Sequence, residues 1–140
     1  MRKTFLFSIL ILLLAGCDKD KFTTKPQLKY KSVNTNVLDR GETLVFNLSF
    51  TDAEGDLSDT LFIVKFEPNC VASRFNARYP LPPFPTGKNQ SGDLVVTFQY
   101  NEVPPKCFPR FDTAVFKFVL KDKAQNKSDT AVSENIIITN

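Results

Sequence analysis

The densest group of side chains able to do chemistry in this sequence is acidic. It comprises four carboxylates within eight positions, Asp52, Glu54, Asp56 and Asp59. Oxygen ligands of this kind suit calcium, which takes about six to eight of them. An EF-hand is excluded, because the sixth and twelfth positions counted from Asp52 hold Leu57 and Ile63 instead of glycine and glutamate.

The acidic segment has two interpretations that both stay open at this point. In the first, its acids meet a later loop at one end of the domain, because both segments follow a predicted strand that leaves the core. The calcium ligands would then come from Asp52, Glu54, Asp56, Asp122 and Asn126. In the second, the same residues only shape and solvate turns through local hydrogen bonds. We favour the second interpretation, which needs no cofactor.

The chain contains no histidine, and this removes most catalytic arrangements. Without imidazole there is no Ser-His-Asp or Cys-His catalysis and no histidine ligand for zinc. Two suitably separated carboxylates suffice for glycoside hydrolysis, but the predicted strands leave little chain for a walled cleft. We therefore expect no enzymatic activity.

The first sixteen residues have the organisation of a signal peptide. A basic start at Arg2 and Lys3 precedes an apolar segment from Phe5 to Leu14. This segment is shorter than the roughly 20 apolar residues that a spanning helix needs. We therefore expect it to be removed and not to remain as an anchor.

The end of this segment, Leu14-Ala15-Gly16-Cys17, resembles the lipobox of bacterial lipoproteins. The resemblance implies cleavage before Cys17, attachment of diacylglycerol to its thiol and acylation of the new amine, for instance by palmitate. Two or more acyl chains hold a protein stably on a bilayer, where one chain does not. The alternative is a secreted protein in which Cys17 is an ordinary thiol.

The polar segment from Asp18 to Gln27 has too little apolar content to pack, and we interpret residues 17–27 as the lipidated cysteine and a flexible tether. Acidic residues directly after the cysteine resemble the surface-export signals of Bacteroidota-type lipoproteins. In enteric bacteria, by contrast, an aspartate at the position of Asp18 favours retention in the inner membrane. Asp18 alone leaves both locations, the cell surface and the inner membrane, open.

The charge balance argues against nucleic acid as a partner. Without residues 1–16 the chain carries sixteen basic and fifteen acidic residues, so it is nearly neutral. A nucleic-acid binder needs a concentrated positive field, and an exported protein has less access to such ligands. We expect the membrane, reached through the lipid, and a protein of the envelope as partners.

Two cysteines remain once Cys17 carries lipid. Cys70 and Cys107 would lie in an oxidising compartment, where a disulfide is the expected state. Closing a loop of about 38 residues stabilises a fold by about 4 kcal/mol in the chain-entropy treatment. A metal or redox site is the weaker alternative, because the spacing is not CxxC and histidine is absent.

From Leu28 onward the hydrophobic period is two, which is typical of half-buried strands. The predicted strands are 43–50, 61–66, 94–100, 114–120 and 135–139, and turn signals occur at 39–41, 54–56, 87–89, 91–93 and 125–127. No long helical periodicity appears. The pattern predicts an all-β, antiparallel sandwich of two sheets, and about 110 residues suit one domain, which we assign to 28–140.

Two segments resemble a known family. Residues 50–57 (FTDAEGDL) are similar to the Phe-x-Asp-x-x-Gly-Asp-hydrophobic segment of small Bacteroidota-type lipoproteins with immunoglobulin-like domains. Residues 119–128 (VLKDKAQNKS) look like the Val-x-Asp-x-x-Gly-Asn-x-Ser hairpin of bacterial immunoglobulin-like and cadherin-like repeats, with Gln125 in place of the usual glycine. The resemblance implies an immunoglobulin-like sandwich and implies no activity.

Two proline-rich segments, 79–85 and 103–109, are predicted to be irregular loops or edges, because proline fixes φ and lacks a backbone donor. A disulfide between Cys70 and Cys107 would bring them to one side of the domain. There, Arg78, Tyr79, Phe84 and Phe108 could contact a partner, since aromatic residues and arginine dominate interface energetics. The alternative, which we favour, is that the prolines cover a sheet edge and the aromatic rings fill a small satellite core.

Together these patterns predict a lipid-anchored protein of the cell envelope, in the outer membrane, whose immunoglobulin-like domain is a non-catalytic structural or interaction module. An accessory lipoprotein of an outer-membrane uptake complex, binding calcium or another ligand, is the alternative.

Overall fold

A computed structural model of the chain describes residues 22–57, 59–70, 75–85, 87–105 and 111–139. Its elements are β1 (Gln27–Val33), β2 (Val37–Leu38), β3 (Thr43–Asp52), β4 (Thr60–Phe66), β5 (Phe75–Pro80), β6 (Gln90–Gln99), a short 3-10 helix (Tyr100–Glu102), β7 (Asp112–Lys121), β8 (Ala131–Val132) and β9 (Ile136–Ile138). In this part of the chain we find no helix with the length and apolar character to cross a membrane. The signal peptide, Cys17 and Cys107 of the sequence analysis lie outside the described residues.

The strands form two sheets. The smaller sheet has the order β1-β3-β6, and the larger has the order β2-β9-β7-β4-β5 with β8 paired to β7. The pairing is antiparallel except between β2 and β9, which run parallel. The prediction of an all-β structure is confirmed, and the predicted antiparallel pairing holds except between β2 and β9.

The period of two decides which side chains enter the core. In β3, Leu44, Phe46 and Leu48 are fully buried and alternate with partly exposed residues. The ring of Phe46 lies 4.8 Å from that of Phe116 and 5.2 Å from that of Phe118, both on β7 in the other sheet. The inner faces of the two sheets therefore pack against each other through aromatic rings, which carry the largest hydrophobic contribution per residue.

One predicted turn is wrong. Ser91-Gly92-Asp93 lies inside β6, where Gly92 is opposite Phe50 of β3. A Cβ atom at Gly92 would lie 3.1 Å from the Phe50 ring. The glycine makes room for a neighbouring ring and does not mark a reversal of the chain.

The folded body begins before the predicted boundary at Leu28. Gln27 belongs to β1 and Pro26 is buried. Further upstream, the carbonyl oxygen of Thr23 accepts a hydrogen bond of 3.1 Å from the backbone N–H of Ala53. The segment that precedes β1 is therefore attached to the end of the fold at which β3 finishes.

Candidate metal centre

Three carboxylates from distant parts of the sequence meet at one end of the fold. Asp52 is the last residue of β3, Asp56 follows four positions later, and Asp122 directly follows β7. One carboxylate oxygen from each lies within 4.8 Å of the other two. We call Asp52, Asp56 and Asp122 the acidic group. β3 and β7 belong to different sheets but finish at the same end, and the two loops after them therefore touch.

Asp52 is the most deeply buried member, with a fully buried side chain. Its Oδ2 accepts hydrogen bonds from the backbone N–H groups of Gly55 at 2.7 Å and Asp56 at 3.1 Å. Its Oδ1 is buried and has no hydrogen-bond partner among the described residues. Burial raises the pKa of Asp52, the two backbone donors oppose this, and the negative charges of Asp56 and Asp122 add to the rise.

Asp56 joins the loop after β3 to the loop after β7. Its Oδ2 accepts a hydrogen bond of 3.1 Å from the backbone N–H of Ala124, and its carbonyl oxygen accepts one of 3.0 Å from Lys123. The other carboxylate oxygen, Oδ1, is buried without a hydrogen-bond partner in the described part of the chain. The acidic group thus contains two buried oxygens that no described donor satisfies.

Asp122 is held by the hairpin that follows it. Its Oδ1 accepts from the backbone N–H of Asn126 at 2.7 Å, and its Oδ2 accepts from the side-chain amide of Asn126 at 2.9 Å. Gln125 supplies the left-handed turn with φ +73, at the position where the similar hairpins have glycine. The hairpin therefore closes without glycine and holds the Asp122 carboxylate in place.

Glycine at position 55 permits a close approach by a third loop. Gly55 has φ +73, and a Cβ atom there would lie 1.8 Å from the carbonyl oxygen of Gly87. The segment after Gly87 is also tied to this end, since the N–H of Asn89 donates to the carbonyl oxygen of Ala53 at 3.0 Å. Three loops therefore converge around the acidic group.

Two neighbouring acids lie outside the acidic group. Glu54, named among the predicted ligands, is exposed. Asp59 pairs with Lys121, whose Nζ lies 2.9 Å from its Oδ2, and this lysine lowers the pKa of Asp59. Of the predicted calcium ligands, the structure brings together Asp52, Asp56 and Asp122, with Asn126 bonded to Asp122.

The acidic group can coordinate a divalent cation. A buried carboxylate is costly unless it is paired or bound to a metal, and no lysine or arginine of the described residues forms an ion pair with these three acids. Oxygens around one calcium ion lie about 2.3–2.6 Å from it, so opposite ligands are up to about 5 Å apart. The 4.8 Å limit on the spacing of the three oxygens fits that sphere.

A second buried group of charges was missed by the sequence analysis. Lys65, Glu67 and Asp112 are each at least 96% buried, at the end where β4 finishes and β7 begins. We call them the lysine group. Lys65 forms an ion pair with Glu67, and its Nζ donates to the carbonyl oxygens of Val103 at 3.2 Å and Pro104 at 2.9 Å.

The lysine group contains its own cation, the ammonium group of Lys65. Burial raises the pKa of Glu67, Lys65 opposes this rise, and the hydrogen bond and charge of Asp112 reinforce it. Cys70 lies close enough to these two carboxylates to complete a set of metal ligands, but Lys65 already occupies the group. The signal in the sequence was a lysine at a core-facing position, two residues after Ile63 on β4.

The predicted partner-binding residues do not share one surface. Arg78 lies over the ring of Phe62 at 5.4 Å, whereas the next residue, Tyr79, packs near Phe98 at 6.3 Å. Phe84 contacts Phe50 at 5.3 Å, in a satellite of the core. Phe108 lies outside the described residues.

Comparisons with known proteins give structural likeness only. No family model and no curated protein sequence matches the chain. Among solved structures, it is similar to Spo0M, a sporulation control protein from Bacillus subtilis, with a TM-score of 0.46, 9% identity, and coverage of 84% of this chain and 51% of that one.

Two further solved structures are similar at the same level. A β-glucosidase from Listeria innocua in complex with gluconolactone has a TM-score of 0.45 and 11% identity, covering 83% of this chain and 16% of that one. A Niemann-Pick type C2 protein from the Japanese carpenter ant has a TM-score of 0.44 and 14% identity, covering 82% of this chain and 95% of that one. The chain thus spans about half of Spo0M and a small part of the glucosidase. At these identities and TM-scores the likeness carries no information about function.

Proposed function

We propose that the protein is a lipid-anchored, non-catalytic module of the cell envelope whose loops are held at one end by a bound calcium ion. The observation that carries the calcium proposal is the acidic group, in which two buried carboxylate oxygens have no described hydrogen-bond donor. A calcium ion would satisfy both oxygens and offset the repulsion among Asp52, Asp56 and Asp122. Because Asp56 and Asp122 belong to different loops, the ion would fix those loops as a surface for a partner.

An immunoglobulin-like sandwich is the fold we propose for this module. Strands β3 and β6 lie in one sheet while β4 and β7 lie in the other, an interleaving that suits Greek-key sandwiches. The two similar sequence segments, 50–57 and 119–128, both fall at the end that carries the acidic group. The segments that resemble the immunoglobulin-like family therefore lie at the same end of the fold as the three carboxylates.

Cys70 supports the proposed assignment of the cysteines. It is 4% exposed, which suits a structural cysteine better than a reactive surface thiol. We propose Cys107 as its partner, which leaves Cys17 for the lipid. Mass analysis of alkylated protein with and without reduction tests the bridge. Labelling with a fatty-acid analogue, with Cys17→Ala as the control, tests the anchor, and an unlabelled wild type would contradict it.

Thermal unfolding in calcium and in chelator tests the proposed cation. We expect millimolar calcium to raise the melting temperature of the wild type, because a ligand that binds only the folded state stabilises it by about 2.7 kcal/mol at a hundredfold excess over its dissociation constant. Asp52→Asn should abolish this rise. Glu54→Gln is the matched control, because it removes an exposed acid from the same loop, and it should keep the rise. A wild type that melts identically in both solutions would contradict the proposal.

A further inference from the structure

The outward face of the larger sheet carries exposed apolar side chains beside cations. Four of its exposed apolar residues are Val64 (37% exposed), Phe66 (46%), Val132 (46%) and Ile137 (37%). They alternate with core residues along β4, β8 and β9, so they lie on the side of the sheet away from the core. A row of exposed apolar residues on a sheet face indicates an interaction surface.

Four cations surround the two phenylalanine rings of this face. Arg78, Lys121 and Lys127 lie over the Phe62 ring at 5.4, 5.9 and 5.7 Å. Lys117 lies over Phe66 at 4.7 Å. We call these four cations and the exposed apolar residues around them the basic-aromatic face.

The basic-aromatic face is short of negative charge. Lys121 pairs with Asp59 at 2.9 Å, and no ion pair of Arg78, Lys117 or Lys127 occurs among the described residues. Three cations around one ring repel one another, and an anion placed among them would relieve that repulsion. The face is therefore complementary to a flat surface that offers both anions and apolar groups.

The outward face of the smaller sheet also has a strongly exposed apolar residue, Val95 at 64%, but it differs in its charges. One of its rows runs from Lys29 through Ser49 to Asp93, so both signs of charge occur with a hydroxyl between them. A second row is formed by Gln27, Thr51 and Ser91. Lys29 and Lys31 are exposed on β1 and provide matched controls for the lysines of the basic-aromatic face.

We propose that the basic-aromatic face lies on an anionic phospholipid surface. This inference rests on the proposed lipid anchor, because the chain leaves the folded body at the same end of the fold as Lys127. The five residue-to-residue steps from Cys17 to Phe22 can span about 18 Å when extended. Thr23 and Lys25 are bonded to Ala53 and Asp129 at the end that also carries Lys127. Basic residues near an anionic leaflet each contribute about 1 kcal/mol, and aromatic rings favour the interface.

Lysine footprinting of the full, lipidated protein in vesicles tests this docking. The protein is reconstituted in phosphatidylcholine alone or with about a third of the lipid replaced by phosphatidylglycerol, and acetylation of each lysine is followed by mass spectrometry. We expect Lys117 and Lys127 to react about fivefold more slowly in the anionic vesicles, the factor that corresponds to about 1 kcal/mol per residue. Lys29 and Lys31 should react equally in both.

Equal acetylation rates for Lys117 and Lys127 in the two vesicle types would overturn the docking. Protection that is already present without vesicles would also overturn it, because it would indicate contact between copies of the chain. Lys117→Glu together with Lys127→Glu should remove the protection of the neighbouring Lys121 while leaving the melting temperature within a few degrees, since both residues lie outside the core. Flotation with phosphatidylcholine vesicles reports separately on the anchor. A protein that fails to float refutes the lipid attachment, whereas one that floats without protection refutes only the docking.

Discussion

Buried carboxylates occur at both ends of β7, but a lysine accompanies them at only one of the two ends. At the first residue of the strand, Asp112 and Glu67 are accompanied by the ammonium group of Lys65. Just beyond its last residue, Asp122 meets Asp52 and Asp56, and no described lysine or arginine pairs with them. The lysine group therefore has a cation supplied by the chain, whereas for the acidic group we propose a cation from solution.

The largest expected effect comes from removing the internal cation. Lys65→Met leaves Glu67 and Asp112 buried without their ammonium, and breaking a buried pair in this way costs about 3–5 kcal/mol. We expect urea unfolding to show that loss. Lys117→Met, on the outward face of the adjacent strand, should change stability by less than about 1 kcal/mol. If Lys65→Met and Lys117→Met lost the same free energy of unfolding, the ion pair between Lys65 and Glu67 would not be what stabilises the lysine group.

Gly55→Ala should have the next largest effect, confined to the acidic group. The new methyl group would meet the carbonyl oxygen of Gly87 and would require a left-handed backbone at φ +73, a combination that costs on the order of 1–3 kcal/mol. Because Gly55 also donates to Asp52, we expect weaker calcium binding as well. Gly41→Ala also has a left-handed φ but open space around it, so it should cost less and leave calcium binding unchanged.

The pH dependence of stability distinguishes the calcium-free from the calcium-bound protein. Burial raises the pKa of Asp52 above its ordinary value of 3.8, so the folded state holds that proton more firmly than the unfolded state. The resulting stabilisation is full below pH 3.8 and is lost as the pH rises through the folded pKa.

In chelator, Asp52→Asn should therefore be less sensitive than the wild type to a rise in pH across this range. Calcium needs the deprotonated carboxylate, so the melting-temperature gain that it gives should shrink as the pH falls. Melting curves from pH 4 to pH 7 with calcium and with chelator measure both trends. A calcium effect that grew towards low pH would contradict carboxylate ligation.

Gln125→Gly should give the smallest effect. Glycine relieves the left-handed backbone at φ +73, but it loses the hydrogen bond of 2.9 Å that Lys121 donates to the Gln125 side chain and it adds disorder to the unfolded chain. These contributions oppose each other, and we expect the free energy of unfolding to change by less than about 1 kcal/mol. Calcium affinity should stay the same, because Asn126 still holds Asp122.

The sequence was sufficient for β3, β4, β6, β7 and β9, because the period of two or a β-branched and aromatic run marks each of them, as in 43–50 and 114–120. It did not predict β1, β2, β5 and β8 as separate strands. The meeting of the loop after 50 with the loop after 121 was the less favoured of two interpretations, and the structure brings Asp52, Asp56 and Asp122 together. The sequence did not reveal the lysine group, since the contact between Lys65 and Glu67 and the nearby Asp112 depends on the pairing of β4 with β7. Nor did it separate Gly92, which accommodates the Phe50 ring, from a glycine in a turn, because both look alike without the neighbouring strand.

The comparison between the two groups is tested most directly by calorimetric titration of the chelator-treated protein with calcium chloride. We expect heat of binding at one site per chain in the wild type and in Glu54→Gln, and none in Asp52→Asn. A flat titration of a folded wild type would show that the acidic group is stable without a cation, and a site retained in Asp52→Asn would show that calcium binds elsewhere. Either result would contradict the proposed role of the three carboxylates.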